Sequence, residues 1–131
     1  MCAVLSLVLG TPPHPLVDIA DGIRHLQPRV SESQAMEYAR FFMAESRDTG
    51  IDWPIAVAVA MKESSLLHHR AGKDGEVGLF QILPRAHPKV DVVLLHDVAQ
   101  NIRLGFARLE LVRDKCRRPA SVEHWIGKYR G

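Results

Sequence analysis

Apolar residues recur with a helical period in the first half of the chain. Within residues 32–48 they occupy Ala35, Ala39, Phe42 and Met43. Ser31 and Gln34 form a capping box at the start of this stretch. Gly50 is suited to end the helix, because glycine readily adopts the left-handed conformation of a C-terminal cap. The pattern therefore predicts an amphipathic helix over Glu32–Asp48.

The next stretch is apolar on every face. Asp52 is a suitable N-cap, and residues 55–61 contain no polar position. A helix without a polar face is typical of a protein interior. We therefore expect a central helix, about Asp52–Leu66, to be the most buried element, with Val57, Ala58 and Met61 nearly inaccessible to solvent.

The second half of the chain predicts turns followed by another helix. Residues 70–78 are rich in glycine, and Val77–Leu83 is a short apolar run that favours a strand or hairpin. Asp97 and Gln100 form a second capping box, and apolar residues then recur in steps of three and four to about Cys116. The predicted fold class is mostly α: a helical domain with a buried central helix and a small Gly-rich turn or hairpin.

Residues 1–30 differ in character from the rest. Four prolines between positions 10 and 30 and the lack of a sustained period predict a tail and linker, with the folded domain at 31–131. The apolar run Cys2–Leu9 has the length of the apolar part of a signal peptide, although no basic residues precede it. A remnant of an export signal and a buried segment are equally compatible with it. The first alternative implies an exported, periplasmic or extracellular protein.

Composition and charge exclude several classes of protein. A chain of 131 residues with 47% hydrophobic residues forms one domain with a core. Residues 101–131 carry eight Lys/Arg against three Asp/Glu, which suits a solvated surface or contact with a polyanion. No aromatic-plus-basic motif indicates nucleic acid, and no run is long enough to span a membrane. We expect a monomer.

The sequence gives no sign of a metal or cofactor. The two cysteines are too few for a zinc site, and the seven histidines show no helical pair spacing. No glycine-rich phosphate loop is present. We therefore expect no cofactor and no metal.

Glu63 is the sharpest chemical feature. It lies at the C-terminal end of the apolar helix, two residues after the run 55–61, so partial desolvation would favour its protonated form. A protonated carboxyl group is the general acid that cleavage of a glycosidic bond requires. On residue chemistry alone, an ordinary surface glutamate at a helix end is the more common interpretation.

The order of motifs changes that balance. Glu63-Ser64 is followed by a Gly-rich turn, then by Gly-Leu-Phe-Gln-Ile-Leu-Pro at 78–84, then by Asn101-Ile102. This order resembles the lytic transglycosylase family, whose catalytic domain is related to goose-type lysozyme. The resemblance covers about residues 31–131 and implies an α+β lysozyme-like fold that acts on the glycan strands of peptidoglycan.

The resemblance also implies roles for individual residues. Glu63 matches the catalytic acid/base, and Ser64 matches the serine that helps to orient its carboxyl group. Gln81 matches a residue that hydrogen-bonds sugar, and Phe80 one that packs on a sugar face. Tyr129 is the best match for the active-site tyrosine, and Asn101 has a structural role.

Three departures from the family pattern stand out. Arg130 replaces the usual asparagine after the tyrosine, and the helix that normally follows is missing, so we expect a domain truncated at its C-terminus. Position 72 is Gly, where many members have a Ser that contacts an N-acetyl group. The segment 85–96 is short.

The resemblance implies a lyase reaction. One glutamate protonates the glycosidic oxygen and then accepts the proton of the muramic acid 6-hydroxyl, which closes a 1,6-anhydro ring. One alternative is a hydrolase of the same fold, in which Asp74 or Glu76 activates water. Another is a non-catalytic domain that binds or organises the cell wall.

Overall fold

The computed structural model describes residues 14–116, and these fold into five α-helices and one turn of 3₁₀-helix. The apolar run 2–9 and Tyr129 lie outside the described residues. The elements are α1 (Pro15–Leu26), α2 (Glu32–Thr49), α3 (Trp53–Ser64), the 3₁₀ turn (Pro84–Ala86), α4 (Val92–Leu95) and α5 (Val98–Lys115). The mostly helical fold class is confirmed.

Both predicted capping boxes mark true helix starts, but only half of each forms, and the Asp97 backbone N–H donates to the Leu94 carbonyl. The Ser31 hydroxyl accepts a hydrogen bond from the backbone N–H of Gln34 at 3.1 Å. The Gln34 side chain donates to Glu37 at 2.9 Å instead of returning to the cap. At the other end, Gly50 has a φ of 73°, as expected for a left-handed cap.

Helix α1 corrects the prediction that residues up to 30 form a tail. Pro15 occupies its first turn, where a missing N–H costs nothing. Ile19, Ala20 and Ile23 are buried and pack in the core, mainly toward α2. Prolines lie on both sides of this helix and its buried stripe has only three residues, so the sequence pattern does not indicate a helix.

The central helix is shorter and less enclosed than predicted. Helices α1, α2 and α5 pack on α3 and bury Val57 to 3% of its accessible surface. Ala58 is exposed and Met61 only partly buried, so the expectation that both are inaccessible was wrong. An exposed alanine costs little free energy, so one uncovered side of an apolar helix is tolerated.

Three phenylalanines form the centre of the core. Phe42 of α2 and Phe106 of α5 have ring centroids 5.8 Å apart in an edge-to-face arrangement. The ring of Phe80 lies 5.9 Å from Phe42 and 6.2 Å from Phe106. The loop that carries Phe80 is therefore attached directly to the helical core.

The strand or hairpin predicted over Val77–Leu83 is a tight hairpin-like turn without a regular strand. Val77 and Ile82 exchange two backbone hydrogen bonds, each of 2.9 Å, and no strand forms among residues 14–116. Gly78 and Gln81, with φ values of 78° and 48°, reverse the chain between them. In the same described part of the chain, no helix is long and apolar enough to cross a membrane.

Candidate active site

A groove of about 480 Å³ runs beside the C-terminal end of α3. Side chains from α3, from the loop 70–83 and from α5 border it. Its lining residues are Glu63, Gly72, Lys73, Asp74, Glu76, Phe80, Gln81, Leu83, Arg85 and Arg108. The structure thus brings Glu63 and Gln81 to one groove, as the motif order predicts.

Glu63 lies in the last turn of α3 and is partly exposed to the groove. Its carboxylate has no hydrogen bond or ion pair with any of residues 14–116. Two left-handed residues, Ser65 and Leu66, end the helix immediately afterwards. The helix thus presents Glu63 at the groove and then turns sharply into the loop that forms the opposite lining.

Asn101 of α5 holds the Gly78–Gln81 segment in place. Its Oδ1 accepts a hydrogen bond from the backbone N–H of Phe80 at 2.9 Å. Its Nδ2 donates to the carbonyl oxygens of Val77 at 2.8 Å and Leu95 at 2.9 Å. The side chain is 1% exposed, so this amide satisfies buried backbone groups that water does not reach. Asn101 has the structural role that the family resemblance implied.

Gln81 offers the groove an acceptor. Its Nε2 donates to the backbone carbonyls of Arg70 at 3.0 Å and Gly78 at 2.9 Å. Those two bonds use both of its amide hydrogens and fix the orientation of the amide. Only Oε1 remains to bind a sugar, and it accepts but does not donate.

Glu76 and Gly72 are close neighbours in the groove. The Oε2 atom of Glu76 accepts a hydrogen bond from the backbone N–H of Asp74 at 2.9 Å. A Cβ on Gly72 would collide with Oε2 of Glu76 and lie 2.7 Å from Oε1 of Gln81. The space that a side chain at position 72 would occupy is thus filled by the Glu76 carboxylate.

The roles predicted for Ser64 and Phe80 do not fit the burial of their side chains. Ser64 is completely buried, and its hydroxyl donates to the carbonyl of Ala60 at 3.0 Å. Neighbouring residues on a helix point in different directions, so Glu63 faces the groove and Ser64 the core. Phe80 borders the groove but is 1% exposed, with its ring in the core, so the ring does not present a face to sugar.

Three basic residues at the groove were not singled out by the sequence. Lys73 and Arg85 are exposed, and Arg108 is partly buried. They come from a turn, the 3₁₀ segment and α5, which are far apart in the sequence. No local motif connects them, so only the folded chain reveals that they share a surface.

A pair of polar residues connects α2 to the segment that follows α3. The buried hydroxyl of Tyr38 lies 2.8 Å from Nδ1 of His68. Burial raises the pKa of Tyr38 to about 12. The hydrogen bond with His68 lowers this pKa in part, and the charge of Glu37 adds a smaller rise. Burial and then neighbouring His69 lower the pKa of His68, which Glu37 partly opposes.

No group of three metal-ligating side chains occurs within residues 14–116.

The family model for the transglycosylase SLT domain matches residues 40–127, about two thirds of the chain. The chain belongs to the transglycosylase SLT domain family. This membership makes it a glycan-cleaving domain of the lysozyme-like superfamily, with peptidoglycan as its substrate class. The matched region includes Glu63, the loop 70–83 and Asn101. No solved structure matches the chain significantly.

Proposed function

We propose that this chain is a peptidoglycan lytic transglycosylase that cleaves the MurNAc–GlcNAc β-1,4 bond, with Glu63 as general acid and base. The observation that carries the proposal is the meeting of Glu63 and Gln81, from two separate motifs, at one groove. Concave sites where a few polar groups converge are the usual places of ligand binding. The basic residues Lys73 and Arg85 suit a polymer with carboxylate groups.

The reaction needs one carboxyl group in two protonation states. Glu63 donates its proton to the glycosidic oxygen as the bond from that oxygen to C1 of the muramic acid breaks. The resulting carboxylate accepts the proton of the 6-hydroxyl, whose oxygen forms a new bond to C1. The product is a 1,6-anhydro ring, and Glu63 is protonated again. No water is consumed.

Digestion of purified sacculi tests this directly. Wild type should clear the suspension, and mass spectrometry should find fragments that end in 1,6-anhydro muramic acid. Glu63→Gln keeps the size of the side chain but has no proton to donate, so it should clear nothing measurable. Equal clearing by both proteins would refute the assignment of Glu63. Binding of sacculi without clearing by the wild type would instead support a non-catalytic wall-binding domain.

Hydrolysis is the second candidate, because Asp74 and Glu76 border the same groove as Glu63. Inverting and retaining glycosidases use a second carboxylate to activate water or to attack C1. A hydrolase would release fragments heavier by one water than the anhydro products, so the same mass spectra decide between the two.

Action on peptidoglycan places the site of work outside the cytoplasmic membrane. We therefore propose an exported, periplasmic or extracellular protein that acts as a monomer. Fractionation of the producing cells checks the first point, and light scattering of the purified chain checks the second.

A further inference from the structure

Two acceptor oxygens border the same space in the groove, and no side chain of residues 14–116 donates a hydrogen bond to either of them. One is the carboxylate of Glu76, and the other is Oε1 of Gln81. Both lie against the same point beside Gly72, as the position of an added Cβ shows. A pair of acceptors in one place is complementary to a pair of donors on a ligand.

The hydrogen bonds around these residues keep the two acceptors available. Gln81 spends both amide hydrogens on the carbonyls of Arg70 and Gly78, so it cannot donate to Glu76. Glu76 accepts one bond, from the N–H of Asp74, and has no other hydrogen bond or ion pair within residues 14–116. A carboxylate has about four acceptor positions, so most of its capacity is unused.

The absence of a side chain at position 72 is what allows this arrangement. Gly72 does not have a left-handed φ, so its backbone conformation does not require glycine. A Cβ there would displace the Glu76 carboxylate and crowd Gln81. Glycine at this position therefore serves the placement of Glu76.

We propose that Glu76 is a substrate-binding residue that, together with Oε1 of Gln81, accepts hydrogen bonds from an N–H and a hydroxyl of one N-acetylated sugar. This inference rests on the proposed function, since it takes a glycan strand as the ligand. It assigns Glu76 to binding and specificity and leaves both proton transfers to Glu63.

Binding is measured first, in chains that cannot cleave. The probe is soluble, peptide-free glycan strands, titrated by calorimetry into Glu63→Gln and into Glu63→Gln combined with Glu76→Ala. A hydrogen bond to a charged group contributes about ten- to hundredfold in affinity, and we expect a loss of that size. Glu32→Ala in the same background is the matched control, because Glu32 is an exposed carboxylate that does not border the groove.

Gly72→Ala provides an independent second variant. It should weaken binding as Glu76→Ala does, because it drives the same carboxylate away. Combining the two should cost less than the sum of the single losses, because both remove the Glu76 carboxylate from its place and only the crowding of Gln81 is added. Thermal melts of each variant show that the fold is retained. Affinity within twofold of the parent for Glu76→Ala, or additive losses, would overturn the inference, as would a parent that binds no glycan.

Kinetics in the active chain separate binding from chemistry. Glu76→Ala should raise KM while kcat and the mass of the products remain nearly unchanged. A fall in kcat at constant KM, with a change from hydrolysed to anhydro products, would overturn the inference and show that Glu76 activates water. A wild type that cleaves no strand would refute the proposed function instead, and the binding comparison would still decide the role of Glu76.

Discussion

The ring of Phe80 lies directly on the backbone of Gly105 in α5. A Cβ at position 105 would collide with Cγ and both Cδ atoms of the ring. The groove residue Gln81 follows Phe80 immediately, so the packing of one aromatic ring in the core sets the position of a residue at the surface. The φ of Gly105 is not left-handed, so its backbone conformation does not require glycine. Glycine is required at position 105 because the Phe80 ring leaves no room for a side chain.

Gly105→Ala should lower the free energy of unfolding by about 1–3 kcal/mol, the usual cost of overpacking a core. The gain in helix propensity from glycine to alanine, about 1 kcal/mol, works in the opposite direction and reduces the net loss. Urea unfolding followed by circular dichroism measures the difference.

Gly22 is the matched control for this substitution. It also lies within a helix, α1, but a Cβ there would make only ordinary contacts with Trp53, at 3.8 and 3.9 Å. Gly22→Ala should therefore stabilise the protein by about 0.5–1 kcal/mol. Stabilisation by both substitutions would show that the Phe80 ring moves aside easily and that the contact is not restrictive.

Asn101→Ala should destabilise the domain by about 3 kcal/mol or more. It removes the hydrogen bonds of the buried Phe80 N–H and Leu95 carbonyl, whereas the Val77 carbonyl keeps the bond that it accepts from the Ile82 N–H. Each buried group left unsatisfied costs about 1–3 kcal/mol. The loop that carries Gln81 should loosen as well, so cleavage should fall even at temperatures where the protein remains folded. Urea unfolding and sacculus clearing measure the two effects. Gln100→Ala, at the next position, should change stability by no more than about 0.5 kcal/mol.

The helices were predictable because their signals are local. Ser31, Asp97 and Gly50 mark ends that the structure reproduces to within a residue, since each acts on backbone groups in the adjacent turn. The position of Glu63 at the end of α3 could be predicted in the same way, because it lies just after the apolar run 55–61.

The sites that were missed depend on tertiary contacts. Phe80 was expected at a sugar face, but Phe42, Phe106 and the gap above Gly105 take its ring into the core. Helix α1 was missed because its first turn holds a proline, a residue that elsewhere marks loops. Which charged side chains border one groove is decided by how the elements pack, which no local pattern records.

Stability should depend on pH through His68. The pKa of His68 is lowered from its ordinary value of 6.5 in the folded protein. Below pH 6.5 the unfolded chain therefore binds a proton at His68 more readily than the folded protein does. The free energy of unfolding should therefore be undiminished by this group above that pH and decrease as the pH falls through the window below it. Unfolding in urea across about pH 5–8 measures the slope.

His68→Gln should flatten this pH dependence, because the group that titrates is gone. His96→Gln is the control, since His96 is exposed at the end of α4 and has no aromatic partner among the described residues. If His96→Gln flattened the slope as much as His68→Gln, the burial of His68 would not be its source.

Glu63 and Ser64 are neighbours in the sequence, but we expect that only substitution of Glu63 reduces cleavage. Glu63→Gln removes the proposed proton donor and should reduce cleavage by about 10²–10⁴ or more, since a general acid contributes that much and the proposed mechanism uses this group twice. Ser64→Ala should leave cleavage nearly unchanged, because the hydroxyl is buried and bonded to the Ala60 carbonyl, which also accepts from the backbone N–H of Ser65. The better helix propensity of alanine offsets the lost bond, so stability should change by less than about 1 kcal/mol.

Initial rates of sacculus clearing at equal protein concentration measure cleavage by the two variants, and thermal melts in parallel measure their stability. A loss of activity in Ser64→Ala comparable to that in Glu63→Gln, without loss of stability, would mean that the serine orients the catalytic carboxyl group after all.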